Sequence, residues 1–171
     1  VFAGIVLLLP EHDMVSHDQM FQRETALLKS IAAADDHMEP EELADRLMQG
    51  DTALRVVDLR PEAEFKTFHI RSAVNVHLGA LPAYAQRTPS GVLLVLYSNG
   101  MTHPAEARDA LARLGFANSY ILTDGLDGFR ARCLKPASLR NAPVSTEMAE
   151  KIMRWRSFFS QQEEEQVAKD Q

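Results

Sequence analysis

A short polar loop at residues 98–103 separates an apolar run from an alanine-rich helical pattern. The loop begins with a serine and ends with a histidine five positions later, a pair that could act as nucleophile and base. The loop could instead hold an anion, because Asn99 and Gly100 tolerate left-handed backbone angles and a helix start offers free N–H groups. The candidate loop residues are Ser98, Asn99, Gly100, Met101, Thr102 and His103.

Asp58 and Arg60 end a branched apolar run at residues 53–60. Asp58 could orient His103 in a serine hydrolase, although a loop that points N–H groups at an anion fits that arrangement poorly. Both residues could line the rim of a pocket, but we expect them mainly to tie the strand end to neighbouring loops. For Ser98, hydrogen bonding to nearby loop N–H groups is as well supported as contact with a ligand.

Strand-like and helix-like segments alternate along most of the chain. Branched and aromatic residues mark the strands, whereas Pro40, Gly50 and Gly115 mark helix ends. The pattern predicts helices at residues 19–34, 39–51, 61–70, 104–115 and 126–134, strands at 53–60, 73–78, 92–98 and 119–125, and a proline-containing connection at 81–91. Repeated strand–crossover–strand units predict an α/β fold with a parallel sheet and helices on both faces. Ligands of such sheets bind beyond the carboxyl ends of the strands.

Composition excludes several classes of function. The chain has 171 residues, a formal net charge of −6 and an isoelectric point near 5.5. It therefore lacks the basic surface that nucleic-acid binding requires. Cys133 is the only cysteine, which excludes an internal disulfide and an all-cysteine metal site. No second residue has convincing ligand spacing with His69, so we expect neither a metal nor a cofactor.

The chain opens with nine uncharged, mostly large apolar residues before Pro10. As a helix they would rise about 14 Å, about half of a bilayer core, and so could not cross a membrane alone. We expect residues 1–10 to be a remnant of a membrane anchor or signal peptide, with the rest of the chain membrane-anchored or exported, as to a periplasm. A core strand is the alternative. Residues 11–36 then form an N-terminal helical extension, whose expected apolar face consists of Phe21, Leu27, Leu28 and Ile31.

Residues 37–134 resemble a rhodanese-homology domain in five segments that follow one another in the family's order. These segments are EPEELADRL, VVDLRPEAEF, HIRSAVNV, LLVLYSNGMTHPAEARDAL and LGFANSYILTDGLDGF. The resemblance implies a five-stranded parallel sheet and a six-residue active-site loop, Cys-x-x-x-x-Arg, whose thiolate takes up a sulfane sulfur as a persulfide. Ser98 and His103 stand at the two ends of that loop. Further departures replace the family's Pro-Gly and the first glycine of its Gly-Gly pair: Arg71, Ser72 and Asp124.

A serine at the first loop position removes the chemistry that the resemblance implies. A cysteine thiolate can be populated near neutral pH, because the reference pKa of the thiol is about 8.5. The hydroxyl of Ser98 ionises several units higher, and its oxygen cannot form the S–S bond of a persulfide. We therefore expect a rhodanese-like domain without persulfide transfer, acting as a binding or regulatory module. A small anion is the candidate ligand of its loop.

Cys133 leaves one alternative open, an active sulfurtransferase that uses this thiol or the thiol of a partner. Arg130 could share a helix face with Cys133 and lower its pKa, whereas Arg132 would point elsewhere. An isolated cysteine at such a position is more often a small buried apolar residue. Its spacing in the sequence gives no reason to place it near Ser98.

The C-terminal extension, residues 135–171, predicts a further helix capped by Ser145 or Thr146. Four apolar residues fall on one stripe of this helix: Met148, Ile152, Trp155 and Phe159. The stripe docks either onto the domain or onto the helix at residues 19–34, or else it binds a protein partner.

Overall fold

The structure is a computed structural model that describes residues 17–33 and 36–169, with side chains described for 17–29 and 36–160. The strands in these residues are β1 (His37–Met38), β2 (Leu54–Asp58), β3 (Val74–Asn75), β4 (Leu93–Tyr97) and β5 (Ser119–Leu122). The helices are α1 (His17–Ala33), α2 (Pro40–Met48), α3 (Glu62–Thr67), α4 (Leu81–Arg87), α5 (Thr102–Arg113), α6 (Gly125–Phe129) and α7 (Thr146–Lys169). Shorter turns are the 3₁₀ segments Leu78–Ala80 and Ala137–Leu139 and the π-helical turn Arg130–Leu134.

The five described strands form one parallel sheet in the order β1-β5-β4-β2-β3, which confirms the predicted α/β class. β2 and β4 pair at the centre, with Asp58 opposite Tyr97 at their ends. Leu59 N extends the pairing by donating to Tyr97 O at 2.9 Å. This register places the residues that follow β2 and β4 side by side at the carboxyl end of the sheet.

The apolar residues of the central strands pack on both faces, because successive side chains of a strand point to opposite sides. The cluster that includes the α6 and α7 side chains contains Val56, Val95, Leu122, Phe129 and Trp155 among its buried members. The cluster on the other face, with α4 and α5 side chains, contains Val57, Leu81, Leu94, Leu96 and Leu111 among its buried members. The helices therefore cover both faces, as a parallel sheet requires.

Three elements differ from the sequence prediction. The predicted connection at residues 81–91 contains helix α4, whose proline lies in the first turn, where its missing N–H is not needed. α5 begins at Thr102, ahead of the predicted start at Pro104, so Thr102 and His103 belong to the helix. β1 has only two residues and is too short to leave a periodic signal.

α1 packs along α5 with only part of its predicted apolar face. Leu27 is buried, whereas Phe21 and Leu28 are 64% and 65% exposed. An ion pair between Glu24 Oε1 and Arg113 Nε, 3.1 Å apart, joins the two helices. The predicted apolar face therefore packs through Leu27, whereas Phe21 and Leu28 lie in its exposed part.

The anchor or export remnant predicted at residues 1–10 lies outside the described residues, as does the side chain of Ile31. Among the helices that the structure does describe, none is long and apolar enough to cross a bilayer. Membrane anchoring and export both stay predictions.

α7 packs on the domain, against α2 and the π-helical turn, rather than on α1. Ile152, Trp155 and Phe159 of its predicted stripe are buried in the core. Trp155 Nε1 also donates to Asp45 Oδ1 of α2 at 2.8 Å. Binding of a protein partner by α7 stays a prediction, and on the opposite side of the helix Met153 is 59% exposed.

The packing of α7 predicts that Trp155→Ala destabilises the whole domain. The change removes a fully buried aromatic side chain and should lower the free energy of unfolding by about 3–5 kcal/mol. Met153→Ala, on the exposed side of the same helix, is the matched control and should change stability by less than about 0.5 kcal/mol. Urea unfolding followed by far-ultraviolet circular dichroism measures both variants. Equal midpoints would mean that α7 is not part of the folding unit.

Candidate functional site

An open cleft of about 560 Å³ lies at the carboxyl ends of β2 and β4. Its walls come from the segment that enters α3 and from the loop that enters α5. The lining residues are Leu59, Arg60, Pro61, Glu64, Ser98, Asn99, Gly100, Thr102 and His103. The structure thus brings Arg60 and most of the predicted loop into one cleft. Asp58 is buried below it, and Met101 is half-buried outside its lining.

Ser98 is 8% exposed at the end of β4. Its hydroxyl donates to Gly100 O at 2.9 Å, so the proton is bound by a loop carbonyl. The hydroxyl therefore donates to a loop carbonyl, whereas the sequence interpretation has it accept from a loop N–H; contact of Ser98 with a ligand stays a prediction. The hydrolase arrangement is not assembled either, because the carboxylate of Asp58 binds Arg60 instead of orienting His103.

The carbonyl groups of the loop face α6. Ser98 O accepts from Leu126 N at 2.8 Å, and Asn99 O accepts from Asp127 N at 3.4 Å. Gly125 makes this approach possible, because a Cβ at that position would lie between 2.6 and 2.8 Å from three loop carbonyl oxygens. Its φ of +58° also falls in the left-handed region that favours glycine. Any larger residue at position 125 would push the loop away from α6.

The N–H groups of the same peptides point in the opposite direction. The C=O and N–H bonds of a trans peptide are antiparallel, so the amides that follow residues 98–100 are directed away from α6. α5 adds the N–H groups of Thr102 and His103. These groups belong to the first turn of the helix, before its first backbone hydrogen bond from Ala105 N to Met101 O, and so have no acceptor within the helix. These amides and the positive end of α5 favour a bound anion.

A buried ion pair between Asp58 and Arg60 supports the cleft, with 0% and 5% of the two side chains exposed. Arg60 Nη2 donates to Asp58 Oδ2 at 2.6 Å, and Arg60 Nε donates to Asp58 Oδ1 at 3.0 Å. Burial opposes the charge of Arg60, but the hydrogen bonds to Asp58, the charge of that carboxylate and the interactions with Tyr97 together outweigh burial and raise the pKa of Arg60. Arg60 also donates to Phe68 O at 2.6 Å and to Asn99 Oδ1 at 3.4 Å. The pair therefore ties the end of β2 to two neighbouring segments.

Tyr97 lies beside this ion pair at the end of β4. Its hydroxyl oxygen accepts from Ile70 N at 3.1 Å. Burial and the neighbouring carboxylate of Asp58 raise the pKa of Tyr97 well above its ordinary value, so the hydroxyl stays protonated and neutral. Tyr97 therefore supports the strand end without adding charge to the cleft.

Glu64 brings a carboxylate to the cleft from α3. Its Oε2 accepts from Asn99 Nδ2 at 2.8 Å and lies 3.9 Å from Arg60 Nη1. Sequence reasoning did not single this residue out. The one signal available was its place in the acidic-aromatic segment after Arg60, and its partner Asn99 is 35 positions away.

A comparison with protein families finds a match to the rhodanese-like domain over residues 39–132, more than half of the chain. The chain belongs to the rhodanese-like family. The matched region includes the strand ends, the cleft and the loop at residues 98–103.

Solved structures support the same fold. The BH2092 protein of Bacillus halodurans has 20% identity and a TM-score of 0.53, with 63% of this chain and 80% of that chain covered. The rhodanese-like domain of the Alr3790 protein of Anabaena sp. has 21% identity and a TM-score of 0.51, with 65% and 92% covered. The human single-domain sulfurtransferase TSTD1 is also similar, at 20% identity and a TM-score of 0.47, with 55% and 94% covered. At these identities the first two likenesses establish the rhodanese-like fold alone. Among curated proteins, none matches this chain.

Cys133 is a free thiol within the rhodanese-like core and is not part of the cleft lining. It is 0% exposed, and burial together with the charge of Glu41 raises its pKa to about 12. The arginines act differently from the sequence interpretation. Arg130 lies over the ring of Phe68, at 4.3 Å from its centre, whereas Arg132 exerts a small lowering effect on the pKa of the thiol.

The burial of Cys133 predicts slow reaction with Ellman's reagent in the native protein at mildly alkaline pH. The thiol stays protonated and covered, so labelling should be slower than in the denatured chain by about a hundredfold or more. Absorbance at the thionitrobenzoate band measures the rate, and the same protein in guanidinium chloride is the control. Equal rates in the two states would show that the thiol is accessible, and Cys133 would again be a candidate sulfur carrier.

Proposed function

We propose that this rhodanese-like protein is a binding or regulatory module that holds a small anion in its cleft and transfers no sulfane sulfur. The observation that carries the proposal is the position of Ser98. It lies at the strand end where the family resemblance puts the reactive cysteine, and its hydroxyl donates to Gly100 O.

Persulfide transfer requires a sulfur nucleophile at that position. In the ordinary reaction a thiolate attacks the sulfane sulfur of thiosulfate, the new S–S bond forms, and sulfite leaves with the electron pair of the broken bond. Cyanide then takes the sulfane sulfur as thiocyanate and restores the thiolate. The oxygen of Ser98 is protonated at neutral pH and forms no S–S bond. The first step therefore lacks its thiolate, and the second step lacks its persulfide.

Anion binding does not need a thiolate, because the backbone supplies the donors. The amides that follow residues 98–100 are directed away from α6, and those of Thr102 and His103 lie at the positive end of α5. Their positions depend on the loop's contacts with α6 and on Gly125, and the hydroxyl of Ser98 adds one bond within the loop, to Gly100 O. A small anion therefore keeps its donors when the nucleophile is replaced.

Thiocyanate production from thiosulfate and cyanide tests the loss of chemistry. The wild-type protein should form no thiocyanate above the rate without protein, whereas Ser98→Cys should gain measurable turnover because a thiol then stands at the loop's first position. Ser98→Ala is the matched control and should stay inactive. Activity in the wild type that Cys133→Ala removes would contradict the proposal and favour a sulfurtransferase that uses the buried thiol.

Nuclear magnetic resonance titration tests the binding. Methanesulfonate, a small monoanion, should shift the backbone amide signals of Thr102 and His103 with a dissociation constant of about 1–10 mM, as expected for a small ligand in an open cleft. The amide of Gly91, at the opposite end of β4, should not respond. Chloride at equal ionic strength controls for screening. Without shifts at Thr102 and His103, the cleft is no anion site.

A further inference from the structure

Two side-chain groups beside the proposed backbone donors, those of Asn99 and Arg60, already face a carboxylate of the protein. Glu64 Oε2 accepts from Asn99 Nδ2 at 2.8 Å, and Arg60 Nη1 lies 3.9 Å from the same oxygen. The Glu64 side chain is 45% exposed, so it lies at the open side of the cleft and can move. The Arg60 side chain, at 5% exposed, is fixed by its contacts with Asp58.

We infer that Glu64 is the residue that determines which anions enter this cleft. Its carboxylate accepts a hydrogen bond from the Asn99 side chain and faces the guanidinium of Arg60. A ligand in the cleft must therefore displace this carboxylate or bind beside it. In both cases the ligand meets one more negative charge than the backbone donors alone would present. The inference rests on the proposed function, and it adds that the cleft selects monoanions over dianions.

The charges around the cleft support this role for Glu64. The charge of Arg60 is matched by Asp58, with Nη2 and Oδ2 2.6 Å apart. Asn99, the hydrogen-bond partner of Glu64, is neutral. Asp58, Arg60 and Glu64 together therefore carry one net negative charge, and Glu64 is the member closest to solvent.

Glu62 lies on the same helix as Glu64 but outside the cleft, and it serves as the comparison for Glu64. It forms an ion pair with Lys66 at 2.7 Å, and both side chains are 71% exposed. The hydrogen bond to Lys66 and its charge lower the pKa of Glu62. Glu62 does not line the cleft. Substitution of Glu62 or Glu64 by glutamine changes the net charge of the protein equally, but only Glu64 lines the cleft and accepts from Asn99.

Ligand charge decides how strongly Glu64 opposes binding. Coulomb repulsion is proportional to the charge of the ligand, so a dianion is repelled about twice as strongly in free energy as a monoanion at the same place. Removing the charge of Glu64 should then improve dianion affinity by about the square of the improvement for a monoanion. Sulfate and methanesulfonate form a suitable pair, because a methyl group replaces one charged oxygen of the same tetrahedral group.

The experiment compares Glu64→Gln with Glu62→Gln at constant ionic strength, with the amides of Thr102 and His103 as the readout. Relative to Glu62→Gln, the Glu64→Gln protein should bind methanesulfonate about threefold and sulfate about tenfold more tightly. Glu64→Asp keeps the charge and should continue to reject sulfate. Urea unfolding of all three variants verifies the fold, which the exposed position of both glutamates should preserve.

The outcomes separate this inference from the proposed function. If both glutamine variants bind both anions equally, Glu64 does not select the ligand, while anion binding itself stands. If sulfate gains no more than methanesulfonate in Glu64→Gln, charge selection is wrong. If no protein, including the wild type, responds to either anion at Thr102 and His103, the proposed function fails and the inference fails with it.

Discussion

The buried ion pair between Asp58 and Arg60 fixes the geometry on which the cleft depends. Asp58 is 0% exposed, and no water can replace Arg60 as the partner of its charge without opening the core. Arg60 in turn holds Phe68 O after α3 and Asn99 Oδ1 in the loop. Loss of either partner would leave a buried charge unpaired, which costs about 3–5 kcal/mol. The same ion pair thus stabilises the fold and holds in place the segments that form the cleft.

Local patterns predicted the central sheet well, because β4 is a continuous apolar run and β2 is rich in branched apolar residues, and both pack on both faces. The same patterns placed Arg60 and the loop at residues 98–103 at the same end of the sheet. They could not reveal Glu64, because its role depends on a contact with Asn99 across 35 positions. They also left the exposure of Phe21 open, since an apolar stripe does not tell how much of a helix face its neighbour covers.

Two positions at which the resemblance implies glycine carry other residues, and both have a backbone conformation that favours glycine. Ser72 and Asp124 replace glycines in the segments that resemble the family, and they are the non-glycine residues with positive φ in the described chain, at +69° and +56°. Aspartate tolerates the left-handed region better than most side chains. Asp124 is followed by Gly125, which cannot change in the same way because a Cβ would collide with the loop carbonyls. The turn therefore keeps its shape with one glycine instead of two.

In the proposed function, holding an anion and attacking one are separate tasks of this cleft. The backbone donors are oriented by peptide geometry, by α6, by the start of α5 and, through its bond to Gly100 O, by the atom at the end of the Ser98 side chain. Attack depends entirely on that atom. Glu64 adds a third property, since its carboxylate changes the charge that a ligand meets without altering the donors. Under these proposals, the rhodanese-like loop has lost its nucleophile and kept a binding cleft, and a residue on another helix sets the charge preference of that cleft.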